Sequence, residues 1–224
     1  MKTIPGFTAA AGQLAEIARW SHRNGWAPAT STNYSVRLPN EAIPALCAIT
    51  SSGVDKEHLG TEHVLAIDHQ GRPVSDTKLI PSAETALHLM LYRTMHAGAV
   101  LHTHSLAATL LSQRASEQGH LSLSGWELLK GLEGIKTHEC TVQLPVFPNA
   151  QDIPTLAVLI EAALTAVPAS YGFLLAGHGL YVWGRDLSEA KRHLETFEFI
   201  LQCELEIRRH GHTSSAGPAY VSHG

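Results

Sequence analysis

The chain has 224 residues, 44% hydrophobic and 16% charged, which is enough for one domain with a substantial core and short for two. A net charge of -4 without a basic block argues against nucleic acid as a partner, and no apolar run reaches the ~20 residues that a bilayer span needs. Cys47, Cys140 and Cys203 are far apart and in no CxxC spacing, so neither a disulfide framework nor a thiolate metal site is expected.

Taken in chain order, the first stretch, MKTIPGFTAAAGQLAEIARW, has no continuous apolar segment of the secretory kind. Together with the cysteine usage this predicts a cytoplasmic protein. Thr8 to Asn24 reads as an amphipathic helix with Ala11, Leu14, Ala15 and Ala18 on one stripe, stopped by Gly25. A small-residue loop, PATSTNYSVRL, then runs into a short strand. LCAITSSG is a strand ending in a Ser-Ser-Gly turn, and VLAID is a strand closed by DHQGR. Ser82 is placed to cap a second helix along Ala83, Ala86, Leu87, Met90 and Leu91, which ends at Gly98. AVLHTH reads as a strand, SLAATLLSQ as the start of a third helix, WELLKGL as a short helical piece and TVQLPVF as a strand. Pro154 suits the first turn of a helix running through Val167. GFLLAGHGLYVWG reads as two strands around a Gly-His-Gly turn. Ser188 is placed to cap a long final helix with Leu194, Phe197, Leu201 and Leu205 on one face, and a tail from Gly211 has little to bury. Helices mixed with successive strands predict one α/β domain over residues 1–210, with helices on both faces of a mixed, mainly antiparallel sheet.

Histidine is over-represented, with 15 copies against 16 Lys plus Arg. Residues i and i+2 of a strand share a face, so His102 and His104 project together. Paired imidazoles suit Zn²⁺ or a neighbouring borderline metal. The plainer alternative is two histidines that happen to fall on a polar strand face. His178, between Gly177 and Gly179, is the best candidate for a third ligand. Its flanking glycines allow a tight turn and close approach by another segment. His22, His58, His63, His69, His96, His120, His193, His210, His212 and His223 read as ordinary polar positions. His88, between Leu87 and Leu89, reads as a packing residue, and His138 is open.

Three imidazoles leave a dication with an open coordination position, the pattern of a catalytic site. A proton-transfer group is then needed. Glu84, within PSAE, is one candidate, and a first-turn carboxylate on a helix dipole is its alternative. Glu127, between Trp126 and Leu128, is the other. Partial burial there would raise its pKa towards neutrality, while its alternative is the polar side of a short helix. For a substrate anion, Ser51, Ser52 and Gly53 at a strand end read as a small nest of N–H donors, with Lys56 near enough to add charge. Thr30 to Ser35 is a second polar loop of this kind, although such residues in turns commonly serve the turn alone.

The ordered set TSTNYS, SSG, PSAE, HTH and GHG, followed by a strand and a long helix, resembles the class II aldolase/adducin family over most of residues 10 to 208. WELLKGL after HTHS, and HGLYVWG before EAKRHLETFEFIL, resemble its dehydratase branch. The resemblance implies a three-layer α/β/α domain with a central, mainly antiparallel sheet, a homotetramer with sites near subunit interfaces, and a small phosphorylated ketose as substrate. It implies one Zn²⁺ per subunit on His102, His104 and His178, and Glu127 as the acid/base carboxylate. Glu84 matches the catalytic carboxylate of the aldolase branch, with an orienting role here. Asn33, Ser35, Ser51, Ser52, Gly53 and Lys56 fall in the phosphate and substrate loops. Many relatives have a Gly-rich, GGN-like stretch where this chain has Ser31-Thr32-Asn33-Tyr34-Ser35, so Asn33 and Ser35 are kept and the glycines are not.

Overall fold

The computed structural model describes residues 4–40, 44–166 and 171–210. The elements follow as α1 (Phe7–Arg23), β1 (Asn33–Arg37), β2 (Cys47–Thr50), β3 (Val64–Ile67), α2 (Thr85–Thr94), β4 (Ala99–Thr103), α3 (Leu106–Arg114), β5 (His120–Ser124), β6 (Thr141–Phe147), α4 (Ile153–Thr165), β7 (Gly172–Leu175), β8 (Gly179–Gly184) and α5 (Leu187–His210). The strands form one eight-stranded sheet in the order β3-β2-β1-β4-β8-β7-β6-β5. Pairings are antiparallel throughout except between β6 and β7. The fold is therefore the three-layer α/β/α arrangement expected from the sequence.

Alternation along the strands divides the core in two. Tyr34, Leu101 and Leu180 face a layer built with Leu14, Leu111, Phe197 and Leu201 of α1, α3 and α5. Val100, Phe173 and Tyr181 face the other layer, built with Leu87, Leu91 and Ile160 of α2 and α4. Because both faces are covered, β2, β3, β4, β7 and β8 are buried at every position. Such strands read as continuous apolar runs, as in LCAIT and GFLL.

Several boundaries differ from the sequence reading for local reasons. Ser82 does not cap α2. It forms the preceding turn, its hydroxyl accepting from the Glu84 N–H at 3.2 Å, and Glu84 takes the N-cap position. Asp186 rather than Ser188 caps α5, accepting from the Glu189 N–H at 2.9 Å. Asp152 caps α4 with Pro154 in its first turn, and the expected end at Val167 lies outside the described residues. WELLKGL forms a 3-10 turn over Glu127–Gly131. Strand β5 is an addition: its exposed-buried alternation buries only Leu121 and Leu123, too short a signal to read beside a turn. The tail from Gly211 lies outside the described residues. Among the described residues, no helix is long and apolar enough to cross a membrane.

Candidate metal centre

The site grows from one row across the sheet. Register places Asn33 of β1 opposite His102 of β4, His102 opposite Tyr181 of β8, and Tyr181 opposite Phe173 of β7. The Tyr181 ring stacks on His102 at 3.9 Å and on Phe173 at 4.9 Å, so the His102 imidazole is held parallel to its neighbour across the strands. His102 Nδ1 lies 3.0 Å from the Leu180 carbonyl oxygen. A carbonyl only accepts, so Nδ1 carries the proton and Nε2 keeps its lone pair for a ligand.

His104 lies just past the end of β4, held in strand-like direction by its N–H donating to the Trp26 carbonyl at 2.8 Å. His178 arrives on the β7–β8 turn. Gly177 sits at φ +64°, in the left-handed region, and its N–H donates to Ser112 Oγ at 3.1 Å. A Cβ on Gly179 would lie 2.0 Å from the Thr103 carbonyl oxygen, so only glycine lets β8 come this near to β4. The Thr109 hydroxyl of α3 donates to the His178 carbonyl at 3.0 Å and ties the turn down.

These three constraints bring three ring nitrogens together. The donor atoms of His102, His104 and His178 all lie within 4.8 Å of one another. His102 Nε2 and His104 Nε2 are 2.7 Å apart. Burial first, and then the neighbouring imidazoles, hold His102 far below the usual histidine range and His104 at about 2. Both rings are therefore neutral at physiological pH. His178 Nδ1 sits 3.3 Å from Asn149 Oδ1, leaving Nε2 directed at the group. Three convergent imidazoles, with the Nδ1 atoms of His102 and His178 engaged elsewhere, fit a divalent transition metal or zinc.

Glu84 completes the site. Its Oε1 lies 3.3 Å from His178 Nε2 and its Oε2 3.5 Å from His102 Nε2. Oε2 accepts from Asn33 Nδ2 at 2.7 Å, whereas Oε1 is buried and accepts no hydrogen bond from the protein. A buried carboxylate oxygen among imidazole nitrogens is placed for a cation, or for a proton on a substrate. The neighbouring Tyr181 phenol is pushed well above its ordinary range by burial and by this carboxylate.

Glu127 stands apart, and its expected burial is not found. Its side chain is 70% exposed, paired with Lys130 and with His138 at 3.3 Å. The Lys130 hydrogen bond holds its pKa below the ordinary value, the reverse of the expected upward shift. A short amphipathic turn at the surface cannot desolvate a carboxylate.

The anion loops are also more inward-looking than expected. Both polar atoms of Asn33 are used within the protein, as is the Ser35 hydroxyl. The Ser51 and Ser52 N–H groups donate to the His63 and Ile80 carbonyls at 2.9 Å each, so they do not form an open nest. Gly53, at φ +75°, has open space where a Cβ would point. Lys56 is turned inward onto the Val54 and Thr30 carbonyls at 2.8 and 3.3 Å, and burial pushes its pKa down to about 8. It is near enough for its charge to act on His102 and His104.

Two histidines differ from their sequence reading, one of them beside the site. His193, read as a surface residue, is buried, with Nδ1 2.8 Å from the Trp183 carbonyl. His88, read as packing, is fully buried and bonded to Asn33 and Ser35. One signal was available: His88 follows Glu84 by four residues, one helical turn, on the same side of α2.

Comparison with known proteins agrees with this geometry. Residues 12–205 match the model of the Class II Aldolase and Adducin N-terminal domain. A protein of Sorangium cellulosum (strain So ce56) named methylthioribulose-1-phosphate dehydratase is 48% identical over 204 residues, covering 91% of this chain and 94% of its own. One of the same name from Stenotrophomonas maltophilia (strain K279a) is 46% identical, covering 93% and 98%. Among solved structures, L-fuculose-1-phosphate aldolase from Thermus thermophilus superposes with a TM-score of 0.70 at 25% identity, covering 92% of this chain and 97% of its own. A sugar-phosphate aldolase from Thermotoga maritima does so with a TM-score of 0.67 at 16% identity, covering 93% and 97%. With residues 12–205 matching the family model and relatives 46–48% identical over nearly the whole length, the chain belongs to the class II aldolase/adducin family.

Proposed function

We propose that this protein is a zinc-dependent dehydratase that converts 5-methylthioribulose 1-phosphate to 2,3-diketo-5-methylthiopentyl 1-phosphate and water, a step of methionine salvage in the cytoplasm. The observation that carries this reading is near-full-length identity of 46–48% to proteins named for that activity. The convergent triad supports it. His102, His104 and His178 would hold one Zn²⁺ per subunit, which when bound supplies Lewis acidity towards a ketose oxygen.

The protein's own groups then account for the rest. A carboxylate takes the C3 proton, the C4 hydroxyl leaves as water with a proton returned to it, and the resulting enol tautomerises to the diketone. Glu127 is the acid/base in this reading, and Glu84 Oε1 orients the substrate. Glu127 faces solvent in the single chain, so it would serve a neighbouring copy's site. Exposed Leu106 and Leu110 on α3 and Phe199 and Ile207 on α5 are apolar groups that a homotetramer would cover. The phosphate would lie towards Ser51, Ser52 and Gly53, with the charge of Lys56 behind it and Asn33 and Ser35 acting through their internal bonds.

The test follows the diketone from 5-methylthioribulose 1-phosphate, using tag-free protein with and without a chelator. Metal-dependent product is expected, and none from fully metal-loaded protein overturns the reading. A second reading, a sugar-phosphate aldolase or 4-epimerase, is favoured by one observation: Glu84, not Glu127, sits against the triad. Glu127→Gln should lower dehydration about 10²–10⁴-fold, whereas an aldolase relying on Glu84 keeps cleaving its ketose phosphate. Tag-free protein that takes up no metal would favour a non-catalytic, adducin-like interaction domain.

A further inference from the structure

Behind Glu84, away from the histidines, runs a line of buried polar groups that the reading above does not use. Glu84 Oε2 is 2.7 Å from Asn33 Nδ2, and Asn33 Oδ1 is 2.5 Å from His88 Nε2. His88 Nδ1 is 2.7 Å from Ser35 Oγ, and Ser35 Oγ is 2.7 Å from the Tyr92 hydroxyl. Ser35, His88 and Tyr92 are each 2% exposed or less, between α2 and β1.

The bonds have one consistent direction. A carboxylate oxygen accepts, so the Asn33 amide nitrogen must face Glu84 and its oxygen must face His88. An amide oxygen accepts, so His88 carries its proton on Nε2. Nδ1 then accepts from the Ser35 hydroxyl, whose oxygen accepts from the Tyr92 hydroxyl. Asn33 spends its second amide proton on Ser82 Oγ at 3.1 Å, which leaves no reason for the amide to flip. At the far end, Arg37 lies over the Tyr92 ring at 4.9 Å and donates to the Tyr92 carbonyl at 2.6 Å, fixing that residue.

We infer that His88 is a positioning residue: through Asn33 it holds Glu84 with Oε2 occupied and Oε1 presented to the triad. The inference rests on the reading of Glu84 as the carboxylate of this site. A helix–sheet interface needs no such line for stability, since well-packed apolar groups of the same shape serve as well. What the line adds is orientation. Without the His88 N–H, Asn33 Oδ1 is buried with no donor. The amide can then turn to bring that oxygen to another donor, which takes its N–H off Glu84 Oε2 and lets the carboxylate rotate out of place. Burial pushes His88 down to about 4, so the ring stays neutral and the direction persists at neutral pH.

Two measurements test this. In wild-type protein labelled with ¹⁵N-histidine, with the signal assigned by its loss in His88→Gln, His88 should be protonated on Nε2 alone from about pH 6 to about pH 9. An Nδ1–H tautomer overturns the proposal, and this readout needs only the conservative His88→Gln variant to fold, not His88→Leu. In steady state, His88→Leu should lower kcat about 10–100-fold with KM changed less than about 3-fold and metal content unchanged. His88→Gln, whose amide N–H can reach Asn33 Oδ1, should recover most of the loss. Wild-type kcat in His88→Leu, or an equal loss in His88→Gln, overturns the proposal. Glu84→Gln run alongside separates two failures. If it is inactive while His88→Leu is not, only the positioning role falls. If it is fully active, the reading of Glu84 falls and takes the positioning role with it.

Discussion

Strand β4 has a carboxylate on each side, and the two live in different chemical company. On the face shared by His102 and His104, Glu84 is met by the Asn33 amide and two imidazole nitrogens, with one oxygen left over. On the other face, Glu198 of α5 is 2% exposed and accepts from the Thr103 hydroxyl at 2.6 Å. Burial pushes Glu198 up to about 7, offset in part by the Ser105 and Thr103 hydroxyls. Both carboxylates are deeply placed and both touch the same five-residue strand. A carboxylate ringed by nitrogen donors, with one oxygen unbonded, is equipped to exchange protons or orient a ligand. One ringed by hydroxyls and aliphatic groups is a strut that clamps α5 to the strand between His102 and His104.

The sharpest way to break this contrast is to remove a ligand from the first face. His104→Ala, measured by metal content and by turnover, should lose most of its metal and at least about 10³-fold in activity, because two imidazoles cannot hold an open catalytic site as three do. A variant retaining full metal would mean that the face is not a metal site. Next comes the carboxylate itself. Glu84→Gln should keep its metal and lose about 10²-fold in kcat, whereas Glu198→Gln should change kcat less than about 3-fold. Equal losses from both would erase the distinction between a substrate-orienting carboxylate and a strut.

The strut has its own signature in stability. Glu198 rises from an ordinary 4.5 to about 7 on folding, so between these values the native state binds a proton that the unfolded state has released. Stability from this group is full below about pH 4.5 and falls as pH rises through about 7. Over that window the loss is roughly 3 kcal/mol. Glu198→Gln keeps an oxygen for the Thr103 hydroxyl and removes the titration. Urea melts of the two proteins should therefore diverge as pH rises, with the variant gaining relative to wild type by up to roughly 3 kcal/mol near pH 8. Parallel curves would mean that Glu198 is not protonated in the native state at pH 6.

How much of this could be read from residues alone follows from what each signal depends on. The strands around the triad were readable because HTH and GHG combine a period of two with glycines that have no other purpose in an apolar run. The triad itself was readable because ligand type and strand geometry suffice to bring i and i+2 together. The line behind Glu84 was not readable, because a histidine between two leucines on a helix carries the same pattern whether it packs or bonds; only the register of β1 against α2 decides. Glu198 was hidden for the same reason, as one of two acidic residues in ETFEFIL. Glu127 failed in the opposite sense: apolar neighbours in sequence implied burial, but a 3-10 turn leaves a residue between two hydrophobic ones free to face outward.

The smallest effect discriminates most finely between the two faces. Ser105 caps α3, its oxygen accepting from the Ala108 N–H at 3.0 Å, and its hydroxyl also serves Glu198. Replacing it by alanine removes both bonds. Loss of the cap should cost about 1 kcal/mol at every pH. Loss of the hydroxyl that lowers the Glu198 pKa adds a second cost only where that carboxylate is charged. Below about pH 4.5 Ser105→Ala should then differ from wild type by the cap alone, and above about pH 8 the gap should widen by a further fraction of a kcal/mol to about 1 kcal/mol. In a Glu198→Gln background the widening should vanish and the cap term remain, a coupling that a double-mutant cycle at two pH values measures directly. A gap that stays constant with pH in both backgrounds would mean that Ser105 acts through α3 alone, and that the back of the histidine strand is held by Thr103 without its help.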